Sequence, residues 1–196
     1  IGVYIRSLVT DLVKLAPHHE FVLVFAARPL AHHFVTAPNV TYCPIPVNQR
    51  LLLRILWPLF GRPYVERYTG ALDLFHNLTS GYRIPAKAKI IITVHDLFPE
   101  LFPQYYKWTG RFLRRSLMAQ MKSASMLAAI SDTTRKEAID YLGISPSKIQ
   151  TIYQSLSDEY KQTPIDDSIL SQYNLKPHSY FIFPGRIHYR KNTDTL

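Results

Sequence analysis

Apolar positions along the chain fall into two kinds of pattern. Ile5, Leu8, Val9, Leu12, Val13 and Ala16 recur at helical spacing on one face, and Pro17 ends that pattern. Phe21 to Ala26 is unbroken apolar sequence, as expected of a strand buried on both faces. Asn39 to Cys43 reads as a weaker strand, Leu51 to Phe60 as a basic, apolar helix, and Leu72 to His76 as a short strand followed by Asn77. Lys89 to Val94 is the clearest strand and runs into His95 and Asp96. Beyond a loop rich in proline and aromatic residues, Leu97 to Tyr106, a helix is expected from about Thr109 to Ser123. The strand Met126 to Ile130 ends in Ser131 and Asp132. Either residue caps the next helix, Thr133 to Leu142, and Gly143 stops it. Ile149 to Ile152 is a last short strand. Gln154 to Pro177 is polar and irregular, with one short helix expected around Asp167 to Tyr173. Tyr180 to Phe183 then reads as a buried strand opening a new unit.

Helices alternate with strands that are continuously apolar, which predicts an α/β fold built on a parallel sheet. In such sheets ligands bind outside the carboxyl ends of the strands. The polar residues there are Asn77, His95, Asp96, Ser131, Asp132 and Arg186. The expected organisation is a first domain over residues 1–155, a connector over 156–178, and the start of a second domain over 179–196. Ile1 and Gly2 already read as the entry to a helix, so we expect a strand and a loop upstream.

The 196 residues are 47% hydrophobic and 13% aromatic, enough for one packed core and a piece of another. Lys and Arg number 23 against 14 acidic residues, a formal charge of +9, which suits an anionic partner such as a nucleotide or a phospholipid surface. The same charge suits nucleic acid, but the interleaved aromatic and basic residues of a single-strand-binding face are missing, so no nucleic-acid partner is expected. Cys43 is the single cysteine, so no disulfide forms within the chain, which fits a reducing, cytoplasmic setting. No apolar run in this sequence is long enough to span a bilayer.

Three cations mark the far end of the sequence. Pro184 and Gly185 end the apolar run, Arg186 follows at once, and Arg190 and Lys191 come four and five residues later. Gly185 lets the backbone turn, while the two guanidinium forks and the ammonium suit phosphate oxygens. A helix beginning near Asn192 would add its own N–H groups. These features together make a diphosphate site. His95 and Asp96 have two readings: groups that position a sugar hydroxyl or steady a developing charge, or a packing His beside a capping Asp. Helix capping explains Ser131 fully, and Asn77 at a strand end is either a turn residue or a substrate contact. The segment Asn48 to Arg62, carrying Arg50, Arg54 and Arg62 among large apolar residues, either packs on the sheet or lies on an anionic membrane surface, and packing is favoured. Zinc-ligand spacing, a P-loop and a nucleophile elbow are all missing.

Four segments, taken in order, resemble glycosyltransferase family 4, the retaining group with the GT-B fold. Ile1 to Val9 resembles the helix after that family's glycine-rich loop. Ile92 to Glu100 resembles its "t-v-H-D" strand end. Ala129 to Glu137, with Ile144 to Ile149 and Thr151–Ile152, resembles its "S-e-x-t-k" helix and following strand. Phe183 to Asn192 resembles its "G-R-x-x-x-R-K-N" turn. The resemblance covers nearly the whole chain. It implies two Rossmann-like domains, each a parallel sheet with helices on both faces, the first for the acceptor and the second for a nucleotide-sugar. On matching positions, Arg186 and Lys191 hold the donor diphosphate, Gly2 borders the donor phosphates, and His95 sits beside the transferred sugar as the catalytic candidate. Asn77, Asp96, Ser131 and Arg190 are candidates for substrate contact. The implied reaction transfers a hexose such as mannose to a glycan or lipid-linked acceptor in bacterial polysaccharide synthesis, with no metal ion and no cofactor beyond the donor itself. The family's glutamate pair has no match here, so the chain is expected to be an incomplete and inactive portion. The alternative is a Rossmann-like binding or assembly module without catalysis.

Overall fold

The computed structural model describes residues 2–26, 35–45, 51–79, 81–106, 108–155, 168–185 and 192–195. Contacts divide the chain into two compact units, Ile1–Ser157 and Asp158–Leu196. In the first unit, helix α1 (Gly2–Leu15) precedes strands β1 (Phe21–Ala26) and β2 (Val40–Ile45), which pair in parallel from Phe21 opposite Val40 to Ala26 opposite Ile45. Successive side chains of a strand point to opposite faces. Phe21 and Leu23 of β1 pack with Val9 and Val13 of α1. Val24 packs instead with Leu52 and Trp57 of the next helix, α2 (Leu52–Phe60). The two helices therefore cover opposite faces of this sheet. The strand expected to stop at Cys43 continues through Pro44, which an edge strand tolerates because the missing N–H leaves no ladder bond unmade.

Helix α2 departs from the expected geometry. It winds as a π-helix with Pro58 inside it, and Gly61 closes it at φ +61°. Proline has no N–H to give the preceding turn, so a regular α-helical ladder cannot be completed there. Trp57, 2% exposed, donates its indole N–H to the Pro63 carbonyl at 2.7 Å.

After the single turn α3 (Glu66–Thr69), a second parallel sheet is built from β3 (Leu74–Asn77), β4 (Lys89–Val94), β5 (Met126–Ala129) and β6 (Ile149–Thr151), in that order. Two further helices pack on it: α5 (Trp108–Ser123), which follows the short α4 (Phe98–Leu101), and α6 (Asp132–Leu142). Ile92, Val94, Leu117, Met121, Leu127, Ala129 and Ala138 are essentially inaccessible and form the main core between this sheet and the two helices. Parallel strands with flanking helices are thus present as expected, divided between two sheets. Strand β3 begins two residues later than expected, because its pairing starts where β4 starts, with Leu74 opposite Lys89. The loop expected before α5 contains α4 and a further 3-10 turn at Pro103–Tyr105.

In the second unit, α7 (Ser168–Gln172) lies where a short helix was expected. The strand expected at Tyr180 to Phe183 is a correction. The segment pairs with no strand among the described residues, and Phe181 and Ile182 are fully or largely exposed. An apolar run becomes a strand only when a neighbour takes its N–H and C=O groups.

Candidate functional site

The carboxyl ends of β3 and β4 meet the first turn of α1. Thr93, the penultimate residue of β4, is fully buried. Its hydroxyl lies 3.1 Å from the Tyr4 hydroxyl of α1 and 3.0 Å from Nε2 of His76 on β3. Burial pushes the His76 pKa down to about 4, so the ring is neutral at pH 7. One residue beyond β4, the half-buried His95 donates from Nε2 to the Leu78 carbonyl at 2.8 Å. A carbonyl can only accept, so Nε2 of His95 carries a proton. The Tyr4 ring meets His95 edge-on, with centroids 5.2 Å apart and planes at 90°. Tyr4 therefore touches both the buried hydroxyl and the imidazole, tying the start of α1 to the end of β4.

Asn77 is 1% exposed at the last position of β3. Its amide N–H donates to the Tyr82 carbonyl at 2.9 Å, while its oxygen accepts from the Thr79 N–H and hydroxyl at 3.3 and 3.2 Å. It thereby shapes the loop whose Leu78 carbonyl holds His95. Asp96 is exposed and accepts the Phe98 N–H at 3.2 Å, at the entry to α4. Ser131 caps α6, accepting the Thr134 N–H at 3.1 Å. Its neighbour Asp132 accepts the hydroxyls of Thr151 at 2.6 Å and Tyr153 at 2.5 Å. These two bonds, Thr151 first, hold the Asp132 carboxyl below the usual range.

Gly2 is the first residue of α1 and is exposed, with no atom within 4 Å of where a Cβ would stand. Across the same end of the fold, Ser7 of α1 lies 3.3 Å from Ser155, beyond β6. Arg186, Arg190 and Lys191 lie outside the described residues.

The fold thus gathers Gly2, Tyr4, Asn77, His95 and Asp96 around the ends of β3 and β4. Ser131 and Asp132 stand beyond the neighbouring strand, β5. Chemically, this rim presents an imidazole, hydroxyls and exposed carboxylates, groups suited to polyhydroxylated ligands. Tyr4, His76 and Thr93 escape a reading of the sequence. A Thr inside an apolar strand and a His one position before its end give no local signal, and their partner Tyr4 is 89 residues from Thr93.

A family model described as Glycosyltransferase Family 4 matches residues 1–159. The chain belongs to glycosyltransferase family 4. The match spans α1, both sheets and every described side chain of the rim. The chain is also similar to O-antigen chain mannosyltransferase B of Escherichia coli, at 27% identity over 107 residues. That alignment takes in 53% of the chain and 28% of the relative.

Proposed function

We propose that this family 4 chain forms the acceptor side of a retaining glycosyltransferase, with residues 1–155 as its first domain. Residues 156–178 are the connector, and residues 179–196 begin the nucleotide-sugar domain. The observation that carries this reading is the family match over residues 1–159, joined to the presence of His95 at the carboxyl end of β4. The donor is a nucleotide-diphosphate hexose and the acceptor a glycan or a lipid-linked sugar. The relative's name supports mannose as the hexose and polysaccharide assembly as the setting. Among the described residues no helix is long and apolar enough to cross a membrane. Action in the cytoplasm, with peripheral contact at an anionic membrane, suits a lipid-linked acceptor.

In the proposed reaction the bond between the sugar's anomeric carbon and the diphosphate oxygen breaks while the acceptor hydroxyl attacks the same face and passes its proton to the departing diphosphate oxygen. Positive charge grows on the ring as negative charge grows on the leaving oxygen. Arg186 and Lys191, with Arg190 beside them, bind the diphosphate more tightly as that charge develops, so they act on the transition state and need no metal ion. His95 stands beside the sugar. Its Nε2 bond to the Leu78 carbonyl fixes the ring at the carboxyl end of β4. Gly2 leaves room at the N-terminus of α1 for the donor phosphates.

Calorimetry with nucleotide-sugars, on the whole protein and on its Arg186→Ala/Lys191→Ala variant, tests this. The parent is expected to bind one donor, and the variant to lose about a hundredfold or more in affinity, since two charge-assisted contacts are removed. A parent that binds no nucleotide-sugar would overturn the transferase reading in favour of a binding module.

A further inference from the structure

A cavity of about 230 Å³ opens near the start of β4. Gln120 of α5 forms one wall, Ile90 of β4 another, and Tyr64 and Arg83 come from the segments after α2 and after β3. Hydrogen bonds pin these walls. The Gln120 side chain, on a residue 5% exposed, accepts the Ile84 N–H at 3.1 Å and donates to the Ile84 carbonyl at 2.5 Å. The Val65 N–H donates to the Pro85 carbonyl at 2.9 Å, and the Trp57 indole holds Pro63. Walls held in this way keep a site formed before its ligand arrives.

The charged groups at this cavity are cations. Arg83 is half-buried, and no acidic residue lines the cavity. Among the described residues, neither the Arg83 guanidinium nor the Tyr64 hydroxyl has a hydrogen-bond partner. A guanidinium drawn out of water is costly unless an anion meets it. Arg62 and Lys87 add charge beside it, at 5.4 and 5.8 Å from the Tyr64 ring centre. Glu66 does not neutralise them. One of its oxygens accepts the Lys87 and Ala88 N–H groups at 2.7 and 2.9 Å, and the other is buried without a partner. Gly61 makes room for the guanidinium, since a Cβ there would stand 2.9 Å from Nη2 of Arg83.

From this arrangement we infer that the cavity is a binding site for the phosphate group of a small, water-soluble ligand. Its volume is below the roughly 300 Å³ at which drug-sized ligands are held, so a compact anion suits it. Arg83 offers a planar fork to two phosphate oxygens, Tyr64 offers a hydroxyl, and Lys87 and Arg62 offset the second negative charge. The site is separate from the rim that carries His95. Ile90 stands near the start of β4 and His95 follows its end, roughly 16 Å away along the strand. The inference is therefore independent of the transferase reading.

Titration calorimetry with inorganic phosphate, at constant ionic strength and near neutral pH, tests the inference. It is run on the chain and on its Arg186→Ala/Lys191→Ala variant, which lacks two cations of the proposed diphosphate site. Both are expected to bind one phosphate at the cavity with half-saturation at about a millimolar or below. In that variant background, Arg83→Gln should weaken binding about tenfold or more, and Arg83→Lys less, because it keeps the charge and loses the fork. Tyr64→Phe keeps the ring between the cations and should weaken binding severalfold through the lost hydroxyl alone. Heat signals that chloride reproduces, no saturable binding, or Arg83 and Tyr64 variants that bind like their parent would each overturn the site. So would capture by phosphatidylglycerol vesicles that depends on Arg83 without any response to free phosphate. Phosphate binding that survives Arg186→Ala/Lys191→Ala supports this site even where nucleotide-sugar binding fails.

Discussion

Burial of His76 makes the stability of the fold depend on pH. In the unfolded chain the ring protonates near pH 6.5, whereas in the fold burial delays protonation to about pH 4. Between these values the unfolded state binds more protons than the folded state, so stability is whole above pH 6.5 and is lost as the pH falls toward 4. The full difference is about 3 kcal/mol. Urea unfolding at pH 7 and near pH 4 should show the parent losing up to that much more stability than His76→Gln, which keeps a hydrogen-bonding nitrogen near Thr93 but cannot titrate. Equal losses in the two proteins would mean that the ring does not stay neutral in the fold. The neighbouring histidine shows the contrast in what a sequence reveals. His95 is legible because it directly follows β4, a six-residue strand, where ligands of parallel sheets bind. His76 is not, since its partner Thr93 is on another strand and its burial is set by what covers both.

At the scale of elements, α6 shows local sequence rules at work. Ser131 accepts the Thr134 N–H at one end, and Gly143 takes φ +65° at the other. A Cβ added at Gly143 meets nothing within 4 Å, so Gly143→Ala pays only for left-handed backbone, about 1 kcal/mol. Ser131→Ala loses the capping bond, again about 1 kcal/mol. The two ends share no contact, so chemical denaturation of the double variant should show a loss near 2 kcal/mol. A double variant no worse than either single one would mean that α6 frays without unfolding the sheet. Elements with such signals, α6 with its caps and β4 with six consecutive paired residues, are where the sequence alone suffices. Where a partner decides, it does not. The start of β3 is set by the position of Lys89, the passage of β2 through Pro44 by its place at an edge, and the π-winding of α2 by Pro58. Among the residues picked from the sequence, Asn77 and Ser131 have local hydrogen bonds that shape a loop and a helix end, and this local chemistry is what a motif cannot distinguish from ligand contact.

For the whole molecule, the parallel α/β class was legible from unbroken apolar strands alternating with helices, because burial on both faces leaves that mark in any sequence. The division into two sheets was not, since it depends on which strands find neighbours. The apolar run Tyr180 to Phe183 makes the same point with a measurable consequence. In the second unit Phe181 and Ile182 are exposed beyond three-quarters of their surface, so both present apolar area that water disfavours. Burying two such side chains against a second copy would contribute about 3 kcal/mol or more, roughly a hundredfold in a dissociation constant. Sedimentation velocity at increasing concentration should therefore show this chain self-associating, and Phe181→Ser/Ile182→Ser requiring about a hundredfold higher concentration for the same degree of association. The substitutions lie outside both sheets, so the circular dichroism of the first unit should not change. If parent and variant sediment alike at every concentration, the run is not the contact.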